Sequence, residues 1–87
     1  MGGTTAEISH RGTAFLVQTQ DNGPRAQSLE TLVYRSGRLV FSRKASWQSL
    51  LGDPRFADRL KEMIEAQHRD VCGEIRAGRL DAFLFRS

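Results

Sequence analysis

The stretch "YRSGRLVFSRK", residues 34–44, predicts a β-hairpin. Ser36 and Gly37 separate two segments rich in β-branched and aromatic residues. A two-residue connection that contains glycine suits a turn with positive φ angles, because glycine adopts them without steric cost. Strands are therefore predicted at residues 27–35 and 38–44. A further strand is predicted at residues 13–20, which are rich in β-forming residues and are followed by an Asn-Gly-Pro turn signal.

A two-residue turn fixes the register of the hairpin, and the register predicts which side chains share a face. The expected pairs are Arg35 with Arg38, Tyr34 with Leu39, Val33 with Val40, Leu32 with Phe41, Thr31 with Ser42, and Glu30 with Arg43. Alternation then predicts a large apolar core face made of Leu32, Tyr34, Leu39 and Phe41, which Phe15 and Val17 join. The opposite, outer face is expected to carry Leu16, Val33 and Val40, with Arg35 and Arg38 beside them.

The second half of the chain has the periodicity of a helix. Asp53 and Pro54 predict its start, because proline is favoured in the first turn, and Gly78 predicts its end. At 100° per residue one arc of this helix is apolar and the opposite arc is charged. The apolar arc contains Phe56, Ala57, Leu60, Met63, Ile64, Val71 and Ile75.

These elements predict an α+β fold, in which a three-stranded antiparallel meander packs against one long C-terminal amphipathic helix. The chain has 87 residues, enough for one small domain, with 39% hydrophobic and 26% charged residues, as in ordinary globular proteins. Residues 1–11 are expected to form a flexible leader, and residues 12–87 a single small α+β domain. The tail carries Phe83, Leu84 and Phe85 and is expected to be covered.

No catalytic, cofactor-binding or metal site is predicted. His68 and Cys72 are four residues apart on the predicted helix, but the negative end of the helix dipole disfavours a thiolate there. Two ligands are too few for a structural zinc site, and His10 lies in the predicted leader. Because Cys72 is the only cysteine, no intramolecular disulfide can form, and a reducing cytoplasm is the predicted location.

The outer sheet face is the predicted interaction surface. Its residues are Leu16, Val33, Arg35, Arg38 and Val40, an apolar row bordered by arginines. Small domains often complete their cores by association, and two-fold homodimers are the commonest form. The sequence therefore predicts a non-enzymatic module that binds either a second copy of itself or another protein, and no membrane.

Weak nucleic-acid binding through the basic hairpin is the alternative. The net charge is +3, and residues 11–44 carry six cationic side chains against two acidic ones. The candidate anion contacts are Arg35, Arg38, Arg43 and Lys44. Because Tyr34 and Phe41 are predicted on the opposite face from Arg35 and Arg38, base stacking and charge would be separated, which favours only weak, salt-sensitive association.

Overall fold

A computed structural model of the chain describes residues 3–86, and these form a four-stranded antiparallel sheet packed against one long helix. The α+β class and the long C-terminal helix are confirmed, but the predicted count of three strands is wrong. Neighbouring strands in the sheet follow chain order: β1 (Gly3–His10), β2 (Thr13–Asp21), β3 (Ser28–Arg35) and β4 (Arg38–Ser46). The additional strand, β1, occupies eight residues of the predicted flexible leader, whose residues 1 and 2 lie outside the described part of the chain.

Two hairpins of the same kind join β1 to β2 and β3 to β4. Arg11 and Gly12 have φ angles of 53° and 77°, and Ser36 and Gly37 have φ angles of 52° and 78°. Positive φ at both central positions is the signature of a type I′ turn, whose twist matches that of the flanking strands. The sequence signal at residues 36–37 was read correctly, and the equivalent signal at residues 11–12 was missed.

A β-bulge in β4 changes the predicted register. The pairs of Arg35 with Arg38 and of Tyr34 with Leu39 are as predicted, but Val33 pairs with Phe41, so that Val40 is the extra residue. Every pair farther from the turn is therefore shifted by one: Leu32 pairs with Ser42, Thr31 with Arg43 and Glu30 with Lys44.

The predicted assignment of the two faces of β3 is also wrong. Val33 pairs with Val17 of β2, and both side chains are completely buried on the face toward the helix. Leu32 and Tyr34 therefore point to the opposite, outer face, together with Leu39. The bulge keeps Phe41 on the inner side as predicted, and it also directs Val40 there.

The helices lie in the connection between β2 and β3 and in the part of the chain after β4. A short helix α1 (Gly23–Ala26) joins β2 to β3, and a 3-10 turn at Gln48–Leu50 follows β4. The long helix α2 (Phe56–Arg76) packs on one face of the sheet, and a last short helix α3 (Asp81–Leu84) contacts β4 on the same face. In the part of the chain that the structure describes, no helix is long and apolar enough to cross a membrane.

Two apolar clusters hold α2 against the inner face of the sheet. The main cluster includes Phe15, Val17, Val33, Ile75 and Leu84, all completely buried. A smaller cluster contains Leu29, Trp47 and Ile64. Burial of aliphatic and aromatic side chains contributes roughly 1.5–3 kcal/mol each relative to exposure, so these clusters are the main favourable term in folding.

A chain of hydrogen-bonded polar side chains also lies between the sheet and α2. We call Thr19, Thr31, Gln67 and His68 the polar layer. Thr31 Oγ1 is 2.8 Å from Thr19 Oγ1, which is 2.8 Å from His68 Nδ1. Gln67 Nε2 donates to Thr31 Oγ1 and to the carbonyl oxygen of Arg43, both at 3.0 Å. Three strands and the helix are thereby joined at fixed positions.

Candidate functional site

The outer sheet face is not covered by any helix of the described residues. The helices α2 and α3 and Trp47 all pack on the inner face. The strand register aligns Glu7, Leu16, Tyr34 and Leu39 in one row across all four strands, and Leu32 stands in the adjacent row. Leu16 is 38% and Leu39 50% exposed. We call Leu16, Leu32, Tyr34 and Leu39 the outer apolar patch.

A hollow of about 750 Å³ extends from this patch toward the two hairpin turns. Its floor includes Ala14, Leu16 and Tyr34, and its rim includes Gly12 and Gly37. The small residues at the turns leave room above the floor, and the twist of the strands curves the face around it. The outer face therefore combines an apolar row with a shallow concave region.

Charge on the sheet differs between its two edges. β1 carries one charged side chain, Glu7, whereas β4 carries Arg38, Arg43 and Lys44. Glu30 on β3 pairs with Lys44 across the strands. Arg38 and Arg43 share the inner face with their partners Arg35 and Thr31, so the charged side chains of the outer face on these strands are Glu7 at the β1 edge and the Glu30–Lys44 pair.

The predicted interaction face is only partly assembled. Leu16 lies on the outer face as predicted. Arg38 is exposed, but it pairs with Arg35 next to the turn and therefore shares the inner face with it. Val33 is completely buried in the core, and Val40 packs against the inner cluster, so neither belongs to the outer face. Arg35 also points inward: its guanidinium donates a hydrogen bond of 2.9 Å to the carbonyl oxygen of Leu84.

The four predicted anion contacts do not share one surface. Arg43 makes two hydrogen bonds of 2.8 Å to the carboxylate of Glu74 on α2, and this contact raises the pKa of Arg43 and lowers that of Glu74. Arg35 is held by the tail, as described above. Arg38 and Lys44 alone of the four are exposed. The cationic groups are therefore divided between the two faces of the sheet.

His68 and Cys72 show no arrangement for nucleophilic chemistry. His68 Nδ1 bonds to Thr19, and burial lowers the pKa of this histidine. Cys72 is only 6% exposed, and burial raises the pKa of its thiol, which favours the unreactive protonated form. His10 belongs to β1, where its Nε2 lies 2.9 Å from Asp81 Oδ1 and ties the tail to the sheet. Among residues 3–86, no cluster of three or more acidic, histidine or cysteine side chains has the spacing of a metal site.

Leu32, Tyr34 and Leu39 are the outer-face residues that sequence reasoning assigned to the core. These three residues were correctly predicted to share one face of the sheet. Because they are large or aromatic, that face was wrongly predicted to be the buried one. The neighbouring strand could have indicated the correct face. Phe15 and Val17 were correctly predicted to be in the core, and because Val33 pairs with Val17, Val33 lies in the core as well.

Comparisons of the chain with protein-family models, curated proteins and solved structures found no significant match. The functional argument therefore rests on the geometry of the described residues.

Proposed function

We propose that this chain is a non-enzymatic self-association module, in which the outer apolar patch packs against the same patch of a second copy. The supporting observation is the contiguous apolar row on an uncovered sheet face. Tail residues do not cover it, because Leu84 is completely buried in the core on the opposite side. Sheets that pack face to face exclude water from such rows and gain hydrophobic stabilisation.

The unlike ends of the apolar row, Glu7 on β1 and Leu39 on β4, favour one orientation of the dimer. A two-fold axis parallel to the strands, between β2 and β3, would bring β1 of each copy over β4 of the other. Leu39 of each copy would then lie over Glu7 of the other, because both stand in the same row. An axis perpendicular to the strands along this row would instead oppose β1 to β1 and β4 to β4, and would bring the Glu7 carboxylates of the two copies together.

The same orientation gives the most exposed side chain of the patch a place to pack. Leu39 stands at the β4 end of the row, and Glu7 stands at the β1 end, beside the hollow. With β4 over β1 of the second copy, Leu39 would enter the side of the hollow bordered by Glu7, Ala14 and Leu16. The two-fold symmetry makes this contact twice, so a single substitution affects two sites.

The experiment is sedimentation equilibrium over a range of protein concentrations. The wild-type chain is expected to show a reversible dimer, and Leu39→Asp is expected to be monomeric, because the dimer would bury two unpaired carboxylates. Leu51→Asp is the matched control, since Leu51 is 54% exposed but lies outside the sheet. Equal association of wild type and Leu39→Asp, or equal loss in Leu51→Asp, would contradict the proposed surface.

Substitution of Leu39 by charges of opposite sign tests the orientation in the same instrument. Leu39→Lys should weaken the dimer less than Leu39→Asp, because the new ammonium group would lie over Glu7 of the second copy. An axis perpendicular to the strands would place the two new cations together and predicts an equal loss in both variants.

Weak nucleic-acid binding stays the alternative prediction, and its test is salt dependence. Binding of single-stranded DNA that weakens with added salt, with a smaller slope in Arg38→Gln, would support it. Nucleic-acid binding has less support than self-association, because the cationic side chains are divided between two faces whereas the apolar side chains form one row. A reducing cytoplasm stays the proposed location, because Cys72 is the only cysteine.

A further inference from the structure

The outer edge of β1 presents a row of open backbone groups. Residues that flank a two-residue turn exchange hydrogen bonds with each other, so His10 is bonded to Thr13 and every second residue before it is bonded to β2. The intervening residues Gly3, Thr5, Glu7 and Ser9 direct their N–H and C=O groups away from the sheet. All four are exposed, and no backbone hydrogen bond beyond the pairing with β2 engages them within residues 3–86.

The two edges of the sheet differ in their protection against further pairing. β4 has three cationic side chains and a bulge, both of which discourage the addition of another strand. β1 is eight residues long, has one charged side chain and contains no proline. Its edge is therefore a suitable template for an extended chain.

A groove of about 540 Å³ opens directly below this edge. It lies between the start of β1, at Gly3 and Thr4, and the first half of α2. Its wall is formed by Phe56, Leu60 and Ile64, and Lys61 is at its rim. A strand added to β1 would direct alternate side chains downward, and one of them would enter this apolar groove.

We infer that β1 and α2 form a binding site for an extended peptide, which adds to the sheet edge and places one bulky apolar side chain in the groove. Backbone groups would supply hydrogen bonds, and the groove would select the anchoring side chain. The outward side chains of the peptide would stand beside Thr5, Glu7 and Ser9, so a basic residue next to Glu7 is favoured.

A second copy of this chain fits the site less well than a separate peptide. If β1 of another copy added to this edge, its downward side chains would be Thr4, Ala6 and Ile8. Ile8 is 4% exposed and already packs in its own core, and the other two are too small to fill the groove. The site therefore differs in both position and partner from the face-to-face dimer proposed above.

The test uses a blocked eight-residue peptide of alternating threonine and valine, with a lysine at each end and one central leucine. Titration is followed by backbone amide NMR of the labelled protein. The expected shifts lie along β1 and the first half of α2, and replacement of the peptide leucine by serine should weaken binding at least tenfold. No binding of the leucine peptide at millimolar concentration, or equal binding of the serine peptide, would overturn the inference.

Thr5→Pro is the matching change in the protein. It removes an edge-facing N–H that does not bond to β2, so the sheet is expected to remain intact while peptide binding falls at least tenfold. Thr5→Val is the control, since it keeps the amide. Should Thr5→Pro lose its far-UV circular dichroism signal, a peptide N-methylated along one edge replaces it, and undiminished binding of that peptide would overturn the inference.

Two further measurements separate this site from the proposed dimer. Leu39→Asp leaves the β1 edge unchanged, so it should bind the peptide as the wild type does even when it no longer self-associates. Concentration-dependent shifts at Thr5 in Leu39→Asp without peptide, lost when Thr5→Pro is added, would assign the edge to a second copy and would overturn the peptide assignment.

Discussion

His68 lies in the middle of α2, and its Nδ1 is 2.8 Å from the hydroxyl of Thr19. One direction of donation gives every hydroxyl hydrogen of the polar layer an acceptor. Gln67 directs its two N–H groups to Thr31 and the Arg43 carbonyl, the Thr31 hydroxyl donates to Thr19, and the Thr19 hydroxyl donates to Nδ1. In this arrangement His68 is neutral, with its proton on Nε2. Protonation of Nδ1 would leave a buried hydroxyl hydrogen of the layer without an acceptor.

We expect the free energy of unfolding to decrease as the pH is lowered, because His68 becomes protonated. Burial lowers the pKa of folded His68 below its usual value of about 6.5, so the unfolded chain binds a proton more readily. The contribution is constant above about pH 6.5 and is lost as the pH falls through the folded pKa. Urea denaturation between pH 7.5 and 5 measures it.

His68→Asn is the control for this pH dependence, and it should flatten the curve in that range at the cost of lower stability throughout. An identical pH profile in His68→Asn would contradict the role given to the histidine. A second, separate loss is expected at lower pH, because the contact with Arg43 lowers the pKa of Glu74 below its usual value.

At the scale of elements, the β3–β4 hairpin shows what local sequence can and cannot specify. The turn at residues 36–37 is set by local backbone chemistry, and it was predicted. The bulge at Val40 is set by what the strands pack against, because it directs both Val40 and Phe41 toward the inner cluster. When both faces of a hairpin carry apolar residues, the sequence pattern alone does not indicate which face the helix covers.

Ser36→Asn is expected to stabilise this hairpin. Ser36 has a φ of 52°, a left-handed conformation that asparagine tolerates better than serine. The side chain is exposed, so no packing is lost. The free energy of unfolding should rise by up to about 1 kcal/mol in urea denaturation. A decrease would contradict the turn type, and Ser42→Asn, on the exposed part of β4, serves as the control for general effects of asparagine.

β1 was missed for a related reason. The segment "GTTAEISH" contains few large apolar residues, so the turn signal at Arg11 and Gly12 was not flanked by two recognisable strands. The strand is held instead by contacts far away in sequence. Ile8 packs in the main cluster, and His10 lies 2.9 Å from Asp81. Because such contacts join the two ends of the chain, no local window contains the information.

At the scale of the whole molecule, the tail completes the core. Arg35 binds the carbonyl oxygen of Leu84, Arg11 lies 3.1 Å from Asp81, and the ring of Phe85 packs edge-on against Phe15. The sequence predicted that the tail must be covered but not which face it would join. Since it joins the inner face, it leaves the outer apolar patch uncovered.

Leu84→Ala and Phe83→Ala test this role of the tail. Leu84 is completely buried, so its truncation should cost about 2–5 kcal/mol of unfolding free energy. Phe83 is 44% exposed and packs on one side against Phe41, so its truncation should cost clearly less. Thermal denaturation of both variants measures the difference, and equal costs would contradict the position of the tail.

The central claim is that two copies meet through the outer apolar patch with β1 over β4. Isotope-filtered NMR on a mixture of labelled and unlabelled chains detects contacts between copies alone. The account predicts cross-chain contacts between the ring of Tyr34 and the methyl groups of Leu16, and between Leu39 and Ala14. Cross-chain contacts confined to Leu51 or Phe83, or none at millimolar concentration, would contradict it.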